Sequence, residues 1–119
     1  MSKLERAERG AARARLTANL LSFTVGAPAT EILGAMRGPP RAASARQVVM
    51  YLLAAAFGMS QLEIAAAVGR DRATVAHGLK RVEDKREDER FDLWLTRLEV
   101  CLRAAPAPLW ARPVREGGQ

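Results

Sequence analysis

With one cysteine, Cys101, and one histidine, His77, the chain can neither close an internal disulfide nor gather the ligands of a zinc site. Cys101 falls within an apolar helical pattern and is expected to be a buried, inert thiol of a cytosolic protein. No apolar run approaches the ~20 residues that cross a bilayer. The longest, Val48 to Phe57, reads instead as a buried helix, so no membrane is expected as a partner. The opening "MSKLERAERG" lacks the apolar core of a signal peptide. There is no Gly-x-x-x-x-Gly-Lys-[Ser/Thr] loop to cradle a nucleotide phosphate, and no cofactor or metal is expected. Thr74 and His77 form the nearest thing to a nucleophile–base pair, but nothing marks a third group or an oxyanion site, so an enzyme is not expected. Strand signals are also sparse, without Asn-Gly or Asp-Gly hairpin turns.

What is present is basic charge and helical spacing. Lys and Arg number 19 against 13 Asp and Glu, a net charge of +6 in 119 residues, which suits one domain and an anionic partner. Leu16, Leu20 and Phe23 recur at i, i+4 and i+7 and predict a helix over 11–24, with the charged residues before Gly10 as a frayed extension. Gly26 stops it. Pro28 suits the first turn of a short helix through Ile32, Leu33 and Met36. The "RGPPR" run, Arg37 to Arg41, predicts an irregular loop. Ser44 and Gln47 fit a capping box that opens an apolar, central helix over 45–57, closed by Gly58.

Ser60 and Glu63 fit a second capping box, for a helix that stops at Gly69, and Asp71 is a good N-cap for the next. Two helices joined by a short Gly-containing turn form a helix-turn-helix unit, with small Ala65 at the crossing and Val75 locking the pair. After Lys85 the run "REDERFD" reads as a solvated boundary. A last helix then presents Phe91, Leu95, Leu98 and Leu102. The expectation is an all-α fold of five to six helices over 1–103, followed by a flexible Pro/Arg/Gly tail over 104–119.

On the second helix of the pair, Val75, Leu79 and Val82 share a core face. Ala73, His77, Lys80 and Arg81 lie opposite, with Thr74 at the edge and Arg72 in the first turn, where recognition helices touch bases. Arg72 suits a bidentate contact to guanine, and His77 can donate to a base or a phosphate. Asp71 has two compatible readings, a helix cap and an acceptor for the cytosine amino group.

"ARQVVMYL" (45–52) followed by "SQLEIAAAVGRDRATVAHGLKRVE" (60–83) resembles the C-terminal DNA-binding domain of the bacterial replication initiator DnaA, over about 14–101. The shared features are the Ala-Arg-Gln helix start and the Arg-Asp-x-[Ser/Thr]-Thr-Val-x-His run. The resemblance implies a Trp-repressor-like helix-turn-helix that binds double-stranded DNA. It implies that Arg70, Asp71, Thr74 and His77 contact bases or phosphates in the major groove. Arg41 and Arg37 would lie in a basic loop, about 37–44, that enters the minor groove, and Ser60 and Gln61 would meet phosphates. Two positions depart from the family: Arg72 stands for the usual His and Ala73 for the usual Ser or Thr, and a second turn glycine is missing. These changes imply a rewritten target.

Without the initiator's ATPase module, the expected function is that of a stand-alone, nucleoid-associated regulator of transcription. The DNA-binding component of a gene transfer agent activator is its narrower form. The alternatives are a replication regulator competing for initiator boxes and a protein-interaction module. In the tail, Leu109, Trp110 and Arg112 are candidate contacts for RNA polymerase or a co-activator.

Overall fold

The structure, a computed structural model, describes residues 2–34 and 38–105. Among them are six helices and no strand: α1 (Lys3–Val25), α2 (Ala29–Ile32), α3 (Pro40–Phe57), α4 (Gln61–Val68), α5 (Arg72–Lys85) and α6 (Glu89–Ala104). Met36, Arg37 and the candidate tail contacts Leu109, Trp110 and Arg112 lie outside the described residues.

The first helix starts eight residues earlier than its apolar spacing predicts. The reason is a capping box at its end: Glu5 N–H donates to Ser2 Oγ (3.1 Å) and Ser2 N–H to Glu5 Oε1 (3.4 Å). Its buried face also differs from the expected stripe. Gly10, Ala14, Thr17, Ala18 and Leu21 face the core, whereas Phe23 is 91% exposed and Leu16 40%. Small residues win that face because they let helices approach closely: a Cβ on Gly10 would lie 3.3 Å from Met59 Cε. Gly26 ends the helix in the left-handed conformation (φ 71°), as its position suggests.

The third helix begins at Pro40, inside the stretch expected to be a loop. Pro39 is the N-cap and Pro40 the first helical residue, where a missing N–H costs nothing. Ser44 consequently sits inside the helix, and the capping box expected there does not form. The central role holds: α3 packs against each of the other five helices, burying Val48, Val49, Leu52 and Leu53 among others.

At the last helix, Leu95, Leu98 and Leu102 are buried as expected, and Phe91 is half-buried against Trp94. The charge run before it is not simply solvated. Arg86 donates to Tyr51 Oη (3.0 Å), Glu99 Oε1 (2.8 Å), Thr96 Oγ1 (2.9 Å) and Asp92 Oδ1, tying α3 and α6 to the end of α5. Cys101 is exposed, not buried, because the core face of α6 passes through Leu98 and Leu102 instead.

Candidate nucleic-acid interface

The start of α4 and both ends of the turn between α4 and α5 are held by local chemistry. Ser60 N–H donates to Glu63 Oε1 (2.8 Å) and Glu63 N–H to Ser60 Oγ (3.1 Å). Gly69 takes the left-handed conformation (φ 67°) that redirects the chain. Thr74 N–H then donates to Asp71 Oδ1 (2.7 Å), so Asp71 caps α5. The Thr74 N–H beside it holds the Asp71 carboxyl below the usual carboxylate range. A charged cap of this kind keeps spare lone pairs facing solvent.

Along α5 the two faces separate cleanly. Val75, Gly78 and Val82 are buried and Leu79 is half-buried. Arg72, Ala73, Thr74, His77, Lys80 and Arg81 are all exposed. Gly78 has a role that its spacing alone did not reveal. A Cβ there would run into Met50 Cε and lie 3.3 Å from Gln47 Cγ, so its bareness lets α5 rest directly on α3.

That close approach creates a polar groove of about 530 Å³ between the first turns of α3 and the exposed face of α5. Arg70, Thr74, His77 and Arg81 line it from one side, Ser44 and Gln47 from the other. Ser44 and Gln47 were read as capping residues; in the structure they share a wall with the recognition face. Lys80 and Gln61 belong to a separate, more open depression of about 560 Å³, beside Tyr51 and Glu83. Lys80 also meets Asp84 at 3.5 Å, an exposed pair of little energetic weight.

Two basic residues are tied to backbone carbonyls. Arg70 donates through Nη2 to Gly34 O (2.7 Å) and through Nη1 to Gly69 O (3.3 Å), bracing the turn against the chain after α2. Arg41, in the first turn of α3, donates to Gly26 O (3.2 Å). The segment expected as a basic loop over 37–44 is helical from Pro40 onward, since the proline pair starts a helix. Arg46, of the Ala-Arg-Gln start, is 5% exposed and donates to Ile32 O (2.6 Å) and Glu31 O (3.1 Å), closing the carbonyl end of α2. Its structural role was not foreseen, because no local pattern shows which distant carbonyls an arginine will meet. Among the described residues, no group of three His, Cys, Asp or Glu side chains is placed to hold a metal ion, and no helix is long and apolar enough to cross a membrane.

A capped helix pair with one face consumed by the core and the other polar is the geometry of a helix-turn-helix. The family model described as bacterial dnaA protein helix-turn-helix matches residues 12–82, from α1 through α5. The chain belongs to the bacterial DnaA helix-turn-helix family. It is 37% identical over 109 residues to the chromosomal replication initiator protein DnaA of Thermomicrobium roseum, an alignment covering 86% of this chain. The chain spans less than a quarter (23%) of that relative's length. No solved structure matches it. As a DnaA-type helix-turn-helix, the domain is a sequence-specific binder of double-stranded DNA.

Proposed function

We propose that the protein is a regulator of transcription that places α5 (71–85 with its cap) in the major groove. The carrying observation is that Arg72, Ala73, Thr74, His77 and Arg81 stand exposed on one face while Val75, Gly78 and Val82 are spent on the core. Arg72 reads a guanine edge, Ala73 meets a thymine methyl, and Thr74 and His77 contact bases or phosphates. Asp71 accepts from a cytosine amino group with the lone pairs its cap leaves over. Lys80, Arg81, Ser60 and Gln61 bind phosphates. Arg70 contributes from the edge of the α3–α5 groove, and Arg41 and Arg37 extend toward the minor groove.

The test is a genome-wide occupancy map followed by two variants. Arg72→Ala relaxes preference at one base position, at a cost of ~1–3 kcal/mol, while Lys80→Ala weakens binding evenly and lowers the salt slope by ~1. Equal losses on all DNA for both variants would refute these roles. Occupancy at promoters of phage-like gene clusters would narrow the role to a gene transfer agent activator. A tail that recruits polymerase or a co-activator through Leu109, Trp110 and Arg112 predicts lost activation, with DNA binding intact, on deleting 106–119. A second reading is favoured by the similarity to a chromosomal replication initiator protein. Under it, the chain occupies initiator boxes, and the map shows origins instead of promoters. An absence of preferred sites leaves only a protein-interaction module.

A further inference from the structure

The amino-terminal half of α1 carries a charge pattern that the recognition helix does not explain. At about 100° per residue, Arg6, Arg9 and Arg13 fall within an arc of roughly 60°. Glu5 and Glu8 fall outside it. The arc borders the buried face, on the side toward α4. Arg13 lies over the Phe57 ring at 5.0 Å, and Arg6 and Arg13 both help to hold the Glu63 carboxyl below the usual range, behind its bonds to Ser60. Glu63 stands in the first turn of α4, three residues from the Ser60 cap. The arginine arc therefore begins at the end of α4 that a helix-turn-helix turns toward the DNA backbone. Burial lowers the Arg13 affinity for its proton, and the neighbouring Arg9 charge adds to it, so like charges are held close together here. The carboxylates of Glu63, beside Arg6 and Arg13, and of Glu5, beside Arg9, offset the three guanidiniums only in part, so the corner stays positive.

We propose that Arg6, Arg9 and Arg13 form a rail that binds backbone phosphates of the same duplex, flanking the site read by α5. The proposal rests on the DNA-binding reading of α4 and α5. Its support is charge and length: from Arg6 to Arg13 the helix rises about 10 Å, over which one strand presents about three phosphates. Such contacts carry no base information. They lengthen the footprint and steepen the salt dependence.

The experiment uses the full chain and mixed-sequence duplexes of about one and about three helical turns. Affinity is measured against salt for each. The wild-type protein should show a slope steeper by ~3 on the longer duplex. Arg6→Gln with Arg9→Gln should remove about two thirds of that difference, and Arg6→Lys with Arg9→Lys should keep it. The exposed Arg6→Gln alone, which leaves the packed face untouched, should remove about a third, and it decides the matter if the double variant unfolds. Unchanged slopes for the Gln variants, with Lys80→Ala still lowering its slope, would overturn the rail and leave the helix-turn-helix reading standing. Slopes insensitive to all of these variants, Lys80→Ala included, would overturn both.

Discussion

Arg46 shows how a residue of the family's Ala-Arg-Gln motif can be spent on holding the fold. Its guanidinium is buried, and its donors close two carbonyls at the end of α2. Replacing it by alanine removes two charge-assisted bonds and leaves the buried Ile32 O without this donor, while Glu31 O keeps the Gly34 N–H. The expected loss is about 2–4 kcal/mol of unfolding free energy. Arg46→Lys should recover only part of it, because a single ammonium nitrogen cannot reproduce the fixed spacing of the Nε and Nη2 donors. Chemical denaturation of both variants checks this; equal stability of Arg46→Ala and the wild type would show that water satisfies the carbonyls. Asp71 is the complementary case, a cap whose carboxylate is also exposed to solvent, as the proposed cytosine contact requires. A carboxylate can do both because the cap uses only one of its lone-pair sites.

At the scale of elements, the decisive contact is α5 on α3, and Gly78 sets its distance. Gly78→Ala gains up to ~1 kcal/mol of helix propensity, which displacement of the Met50 methyl offsets, so the net change should be small. Gly78→Val adds branched bulk against Met50 and Gln47, and should cost ~1–3 kcal/mol. It should also weaken DNA binding more than Gly78→Ala, since α5 must tilt away from the α3 wall of the groove. Unfolding midpoints and duplex titrations of the two variants test both statements. The element ends were legible where capping chemistry is local, as at Ser60, Gly69 and Asp71. They were misread where two local signals compete. Pro39 and Pro40 predict a break, yet the same pair is favoured at a helix start, and Ser44 was displaced into the interior as a result. On α1, period 3.6 found the helix but not its inner face. Leu16 and Phe23 share the spacing of a core stripe, but the adjacent small-residue stripe packs closer.

Across the whole molecule, α6 is joined to the helix-turn-helix by a polar clasp as well as by leucines. Arg86 sits over the Tyr51 ring at 5.6 Å and bonds Tyr51, Asp92, Thr96 and Glu99. Its bond to Asp92, with those to Tyr51 and Glu99, raises its affinity for its proton against the effect of burial. Burial, with the Glu83 carboxylate beside it, pushes the Tyr51 hydroxyl up. Glu99, 8% exposed, also meets Arg103 at 3.6 Å, and Arg103 donates to Ala55 O (2.7 Å). Arg86→Ala leaves a buried carboxylate with one distant partner and should cost about 1–3 kcal/mol, discounted for partial exposure. A double-mutant cycle with Glu99→Ala should show coupling of ~1 kcal/mol or more. Additive losses would mean that the clasp contributes nothing beyond packing.

By itself, the sequence determined the helical class, the caps around the turn, the polar and apolar faces of α5 and the family. All of these rest on short-range spacing or on a contiguous motif. The tertiary structure alone decided where the distant partners fell. It turned Arg70 and Arg46 toward carbonyls, brought Ser44 and Gln47 beside His77, and exposed Cys101 and Phe23. Those outcomes depend on which helix faces meet, and helix faces meet according to side-chain size and close packing, which a periodic pattern does not encode.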